Sequence, residues 1–128
     1  MKKRAKLVSS IVMGALYVAA GVNHFVNEAF YVAIMPPWIP WHRAMVAISG
    51  VAEILLGILV WIPKTRRIGG WGVVALLVAV FPANLHMALA APGTFDAPAW
   101  ALWARLPVQA LLVAWALWST WPEPQKSA

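Results

Sequence analysis

Six polar side chains interrupt apolar stretches of the chain, and they are the residues best suited to binding or catalysis. They are His24, Glu53, Asn84, His86, Arg105 and Gln109. A charged group at the centre of a membrane helix costs roughly 2.5–3.5 kcal/mol, so it normally faces a partner. The long side chain of Arg105 can reach towards the depth of Glu53. We therefore predict a polar cluster with a Glu53–Arg105 pair at its centre.

Each of these groups also has a purely structural interpretation. The Glu53–Arg105 pair would then only fix helix register, the histidines would bond to backbone or water, and the amides would hold helices together. His24, His86 and Glu53 have the right types for metal ligands, but they fall on separate predicted helices, so we predict no metal site. The chain has no cysteine, which excludes disulfides, thiol catalysis and iron–sulfur ligation.

Four long apolar segments must position the polar groups. The 128 residues are 62% hydrophobic and 11% charged, with a mean hydropathy of +0.74. A spanning helix needs about 20 mostly apolar residues. The sequence predicts a single all-α domain over residues 1–128, an integral membrane four-helix bundle with helices at about 7–26, 44–62, 69–91 and 100–121. The first segment begins like a signal peptide, but its apolar run is long for one, so we predict a retained helix.

Two of the predicted helices show a packing face. In the first, Gly14, Tyr17, Gly21 and His24 recur at spacings of three and four, as in a seam that contacts neighbouring helices. In the second, Ser49, Glu53 and Gly57 are four residues apart and share one face. Small residues on such faces allow another helix to come close.

The basic residues predict the orientation. Eight of the ten Lys and Arg lie at the N-terminus, in the turn at 63–67 and in the C-terminal tail. Because Lys and Arg favour the cytoplasmic side, we predict that both termini are cytoplasmic and that the protein is a multi-pass protein of the bacterial cytoplasmic (inner) membrane. The net charge of +6 sits in short clusters between apolar runs, which suits anionic lipid headgroups and not nucleic acid.

The remaining segments form loops and a cavity. Residues 28–43 contain three prolines among apolar residues, and we predict that they either fold back onto the bundle or dip into the membrane interface. A shorter outer loop is predicted at 92–99. Pro82 should kink the third helix and free the carbonyl of Val78. Because all candidate residues map to the outer half, we predict an outward-facing polar cavity that an apolar plug closes on the cytoplasmic side.

Four segments carry a family resemblance. They read AGVNHF (20–25), PPWIPWHRAMVAISGVAEILLGILVWIPKTRR (36–67), WGVVALLVAVFPANLHMAL (71–89) and LWARLPVQALLVAWALW (102–118). In these the chain resembles the DoxX-like family of small bacterial four-helix membrane proteins. The resemblance implies a left-handed four-helix bundle. Its precedents include a membrane subunit of a thiosulfate:quinone oxidoreductase, redox-associated membrane proteins and a distant animal protein that assists receptor assembly, and no shared catalytic motif can be transferred.

Three functions are open at this point, and the lipid bilayer is a partner in each. The first is binding of a small amphipathic ligand, such as a quinone or lipid, in the outer cavity of a redox-associated membrane subunit. The second is interaction or assembly without chemistry, with a membrane-protein partner or a second copy. The third is transport, for which four helices leave little room without oligomerisation. The sequence has no self-contained catalytic motif, so an enzymatic role would be at most that of a membrane oxidoreductase subunit.

Overall fold

The computed structural model describes residues 2–33, 35, 37–90 and 99–122, and all regular structure in this part is helical. The helices are α1 (Lys2–Val26), α2 (Glu28–Ala33), α3 (His42–Trp61), α4 (Arg66–Ala90) and α5 (Ala99–Thr120). The predicted loop at 92–99, apart from the first residue of α5, and the tail with Lys126 lie outside the described residues.

The prediction of four long apolar helices is confirmed, because α1, α3, α4 and α5 are each long and apolar enough to cross a membrane. Helix α1 begins five residues earlier than predicted and α4 three residues earlier. Lys and Arg are good helix formers, so the basic residues beside an apolar run can extend the helix. The segment at 28–43 is not all loop, since it contains the short helix α2 before its prolines.

Helices α1 and α3 pack backbone against backbone. Gly14 faces Gly57 and Gly21 faces Gly50, so α1 and α3 run antiparallel. A Cβ atom on Gly21 would lie 2.5 Å from the carbonyl oxygen of Gly50, and one on Gly57 would lie 2.7 Å from that of Gly14. On each helix the two glycines are seven residues apart, which is two helical turns and therefore one stripe. The predicted seam on α1 thus meets a matching stripe on α3.

The two ends of the bundle differ. The ε-amino group of Lys6 donates a hydrogen bond to the carbonyl of Trp121 at 3.2 Å, so the first and last described residues share one end. We call this the terminal end, and we call the opposite end, which holds α2, the loop end. An apolar core fills the middle of the bundle. It consists of Met13, Tyr17, Val60, Val73, Leu77 and Ala116.

A cluster of hydroxyl groups lies between this core and the terminal end. Ser10 donates to the carbonyl of Ser119 at 3.0 Å, and the hydroxyl oxygens of Ser9 and Ser119 are 2.6 Å apart. Ser10 and Ser119 are both buried. The last carbonyls of a helix have no partner within it, so the Ser10 hydroxyl satisfies one that would otherwise be unpaired. The apolar core is therefore followed, towards the terminal end, by a layer of hydrogen-bonded hydroxyl groups that the sequence did not predict.

Candidate functional site

A cavity of about 520 Å³ lies between the helices in the loop-end half of the bundle. All five helices contribute to its wall, which is mostly apolar. Its polar lining includes His24, Tyr31, Ser49, Glu53, Asn84, Arg105 and Gln109. Small-molecule sites are typically concave, about 300–1,000 Å³ in volume and apolar with a few placed polar groups. The cavity has these properties.

Glu53 on α3 faces His24 on α1 across the glycine contact. The Nδ1 atom of His24 lies 2.9 Å from Oε2 of Glu53, and the two side chains are 12% and 16% exposed. The same Nδ1 atom lies 2.9 Å from the carbonyl oxygen of Ala20. A carbonyl can only accept, so Nδ1 carries a hydrogen and donates it to Ala20.

This arrangement leaves one carboxylate oxygen of Glu53 unsatisfied. Oε2 is within ion-pair distance of His24, yet it is buried and has no hydrogen-bond partner among the described residues. The Nδ1 atom of His24 is close to Oε2 but does not form a hydrogen bond with it, because the hydrogen on Nδ1 is directed at the carbonyl of Ala20. A buried polar atom without a hydrogen bond is rare and costs about 1–3 kcal/mol. Glu53 is thus a cavity-lining carboxylate whose hydrogen-bonding capacity is not filled by the described residues.

The expected Glu53–Arg105 ion pair is not formed in the described part of the chain, where Glu53 has His24 as its ion-pair partner. Arg105 does line the same cavity. Its Nη1 atom lies 3.6 Å from the sulfur of Met87 on α4, and sulfur is a weak acceptor. The pairing differs from the prediction because the glycine contact brings α1, and not α5, next to Glu53. Arg105 thus contributes a cation that has only the weak Met87 contact for its donors among residues 2–33, 35, 37–90 and 99–122.

Asn84 and Gln109 join α4 to α5. The Asn84 amide donates to Oε1 of Gln109 at 2.9 Å, and the Gln109 amide donates to the carbonyl of Leu77 at 2.5 Å. Pro82 lies within α4, as predicted, but the carbonyl that gains a side-chain donor belongs to Leu77 and not to Val78. Gln109 is buried, and both of its hydrogen bonds hold neighbouring helices together.

Helix α5 also contains an internal proline, which the sequence analysis overlooked. Pro107 precedes Gln109 by two residues, just as Pro82 precedes Asn84 by two residues on α4. Each proline removes one backbone hydrogen bond from its helix. The two amides that follow the prolines bond to each other, so side chains connect the two interrupted helices at this level.

Tyr31 is the main site residue that the sequence analysis missed. Its ring stacks on the imidazole of His24, with centroids 4.0 Å apart and an interplanar angle of 18°. Its hydroxyl accepts a hydrogen bond from the Asn23 amide at 2.7 Å. Helix α2 is further held by the 2.8 Å ion pair of Glu28 with Arg43. The predicted fold-back of this segment is confirmed, and the spacing of Glu28, Tyr31 and Met35 was the available signal for it.

His86 is the one candidate that the structure does not place at the cavity. It is half-buried on α4 and is absent from the residues that line the cavity. Within residues 2–33, 35, 37–90 and 99–122, no group of three or more His, Asp or Glu side chains could hold a metal ion. The polar side chains that line the cavity can form hydrogen bonds, and Arg105 adds a cation.

The described residues form an all-α bundle in which four helices of membrane-spanning length surround a mostly apolar cavity with a few polar groups. Residues 13–120 match the model of a family described as a domain of unknown function, DUF8561, and the chain belongs to this family. No curated protein and no solved structure matched the chain. The description of this family gives no function and does not mention DoxX-like proteins. The resemblance to DoxX-like proteins therefore stays a prediction.

Proposed function

We propose that this chain is a multi-pass protein of the bacterial cytoplasmic membrane that binds one small amphipathic ligand in the loop-end cavity. The observation that carries the proposal is Glu53, which lines a cavity of about 520 Å³ and whose buried Oε2 atom has no hydrogen bond among the described residues. A ligand that donates a hydrogen bond there would satisfy this oxygen. The basic residues of the terminal end support a cytoplasmic location for that end.

The two charged walls of the cavity define what the ligand must carry. Glu53 requires a hydroxyl or another donor, whereas Arg105 offers donors to an acceptor such as a carbonyl or a phosphate oxygen. The apolar remainder of the wall suits a ring or a chain. A quinol head carries hydroxyls, which can donate to Glu53 and accept from Arg105, whereas the carbonyls of the quinone state can only accept and suit Arg105. The hydroxyl-bearing head of a lipid fits them as well.

The DoxX-like resemblance supports the quinone assignment, because one member of that family is a subunit of a quinone-reducing enzyme. In this proposal the chain is a redox-associated membrane subunit that supplies the binding site. A bound quinone would accept two electrons from a partner oxidoreductase subunit together with two protons, which His24 and Glu53 would pass to it, and would leave as the quinol. A cavity that binds nothing would favour the alternative, an interaction or assembly protein.

The first test identifies the ligand. The full chain is purified in a mild detergent, and bound small molecules are extracted and analysed by mass spectrometry. Decylubiquinone and a phospholipid are then added separately, and binding is followed by native mass spectrometry. We expect one equivalent of a quinone or lipid per chain. Recovery of an empty protein that binds neither added compound would refute the proposal.

Matched variants test the site. A hydrogen bond to a charged group contributes about 1.5–3 kcal/mol, so Glu53→Gln and Arg105→Gln should each weaken binding roughly 10- to 100-fold. The control is His86→Gln, which changes a polar side chain of α4 outside the cavity. It should bind like the parent protein. Equal losses in Glu53→Gln and His86→Gln would contradict the assignment of the site.

A further inference from the structure

A second cavity, of about 440 Å³, lies at the terminal end, and its wall is basic. This cavity is formed by the start of α1, the turn before α4, the first residues of α4 and the end of α5. Its four cations are Lys3, Lys6, Arg66 and Arg67, and its other lining residues include Leu7, Ser119 and Trp121. The two acidic residues that the structure describes, Glu28 and Glu53, lie in the loop-end half. Neither of these carboxylates lines the basic cavity.

The two arginines have different tasks. Arg66 donates from Nε to the carbonyl of Val60 at 2.8 Å and from Nη2 to that of Trp61 at 3.0 Å. These are last-turn carbonyls of α3, which have no donor within the helix, so Arg66 caps α3. Two of the nitrogen atoms of its guanidinium are therefore occupied by hydrogen bonds within the protein.

Arg67 is held differently. Its guanidinium carbon lies 3.7 Å from the centroid of the Trp121 ring, a cation–π contact, and Trp71 packs edge-on against the same ring. This contact uses the face of the guanidinium and leaves its five in-plane N–H donors. Those donors have no hydrogen-bond acceptor among the described residues. The tryptophan thus fixes the cation beside the cavity without neutralising it.

We propose that this basic cavity binds the phosphate headgroup of an anionic phospholipid, with Arg67 and Lys3 as its main contacts. A planar guanidinium matches two phosphate oxygens, and lysine adds a point charge. Basic pockets between membrane helices at the cytoplasmic side are suited to anionic headgroups. The apolar wall at Leu7, which is 46% exposed, favours a lipid over free phosphate because an acyl chain can lie along it.

The lipid site is independent of the ligand in the loop-end cavity. Binding of dioleoyl phosphatidylglycerol and of dioleoyl phosphatidylcholine to the full chain in detergent is compared by native mass spectrometry. Each Lys or Arg near an anionic surface contributes about 1 kcal/mol, so Arg67→Gln should weaken phosphatidylglycerol binding about fivefold. Phosphatidylcholine binding should be weaker at the outset and should change little.

The control is Lys64→Gln, which removes one positive charge three residues before Arg67. Lys64 does not line the cavity. It should leave phosphatidylglycerol binding within twofold of the parent. Arg67→Lys keeps the charge and should retain most of the preference. Equal binding of the two lipids, equal losses in Arg67→Gln and Lys64→Gln, or a loss in Arg67→Lys as large as in Arg67→Gln would overturn the proposal. Displacement of the lipid by an equal concentration of inorganic phosphate would also overturn it, because the site would then bind free anions.

Discussion

The α1–α3 contact gives the sharpest test of how the site is positioned. In Gly21→Ala the new Cβ would lie 2.5 Å from the carbonyl oxygen of Gly50, about half an ångström closer than such atoms are found in proteins. A backbone carbonyl cannot rotate away, so the two helices must separate. Overpacking of this kind costs about 1–3 kcal/mol, whereas alanine gains about 0.5–1 kcal/mol of helix propensity over glycine. The expected net loss is therefore about 1 kcal/mol.

Gly72→Ala is the matched control. The Cβ there would meet the side-chain methyl end of Leu56, and a flexible side chain can move aside. Because the propensity gain is then opposed by little, this variant should be as stable as the parent protein or up to about 1 kcal/mol more stable. Both substitutions are glycine to alanine within a long helix, so the difference between them isolates the backbone contact.

The measurement is the free energy of unfolding of the two variants in the same detergent, combined with ligand binding to the loop-end cavity. Separation of α1 from α3 moves His24 away from Glu53, so Gly21→Ala should also weaken ligand binding, while Gly72→Ala should not. Equal stability of Gly21→Ala and Gly72→Ala would refute the packing argument. Unchanged ligand binding in a destabilised Gly21→Ala would refute the link between the glycine contact and the site.

Three further predictions concern the other polar groups. A double-mutant cycle with Asn84→Leu and Gln109→Leu should give a coupling of about 0.6 kcal/mol, the average for polar contacts between membrane helices, and strict additivity of the unfolding free energies would contradict their hydrogen bond. Ser10→Ala should cost about 1 kcal/mol of unfolding free energy, because the buried carbonyl of Ser119 loses its donor; a neutral result would mean that another donor replaces it. Tyr31→Phe should keep the stack on the imidazole and retain ligand binding, whereas Tyr31→Ala should speed ligand release. Equal dissociation rates of the two variants, measured by stopped flow, would contradict a contact between the Tyr31 ring and the ligand.

The long helices could be predicted because each one is a continuous apolar run with basic or proline-rich flanks. The cavity could be predicted in outline for a related reason. Polar side chains within such runs must face the interior, and their positions along the helices place Glu53, Asn84, Arg105 and Gln109 at a similar depth. Depth along a helix follows directly from residue number.

The pairing within the cavity could not be predicted in the same way. Which side chain meets Glu53 depends on how closely each neighbouring helix approaches, and only the matched glycines of α1 and α3 decide that His24 is the nearer group. Tyr31 was missed because a six-residue helix gives too short a pattern to stand out among prolines. The hydroxyl cluster was missed because serines near helix ends resemble interfacial residues, and their pairing across α1 and α5 needs three-dimensional proximity.

The contrast between the two halves of the bundle has a mechanical consequence. Helices α1 and α3 touch through their backbones at the glycines, so little side-chain material can rearrange there to change the spacing between them. Helices α4 and α5 each lack a backbone hydrogen bond at an internal proline and are joined at that level by amide side chains. We therefore expect the α1–α3 pair to be rigid and the α4–α5 pair to bend more easily. We therefore expect the cavity to adjust to ligands of different girth by bending of α4 and α5, while the carboxylate of Glu53 keeps a fixed position.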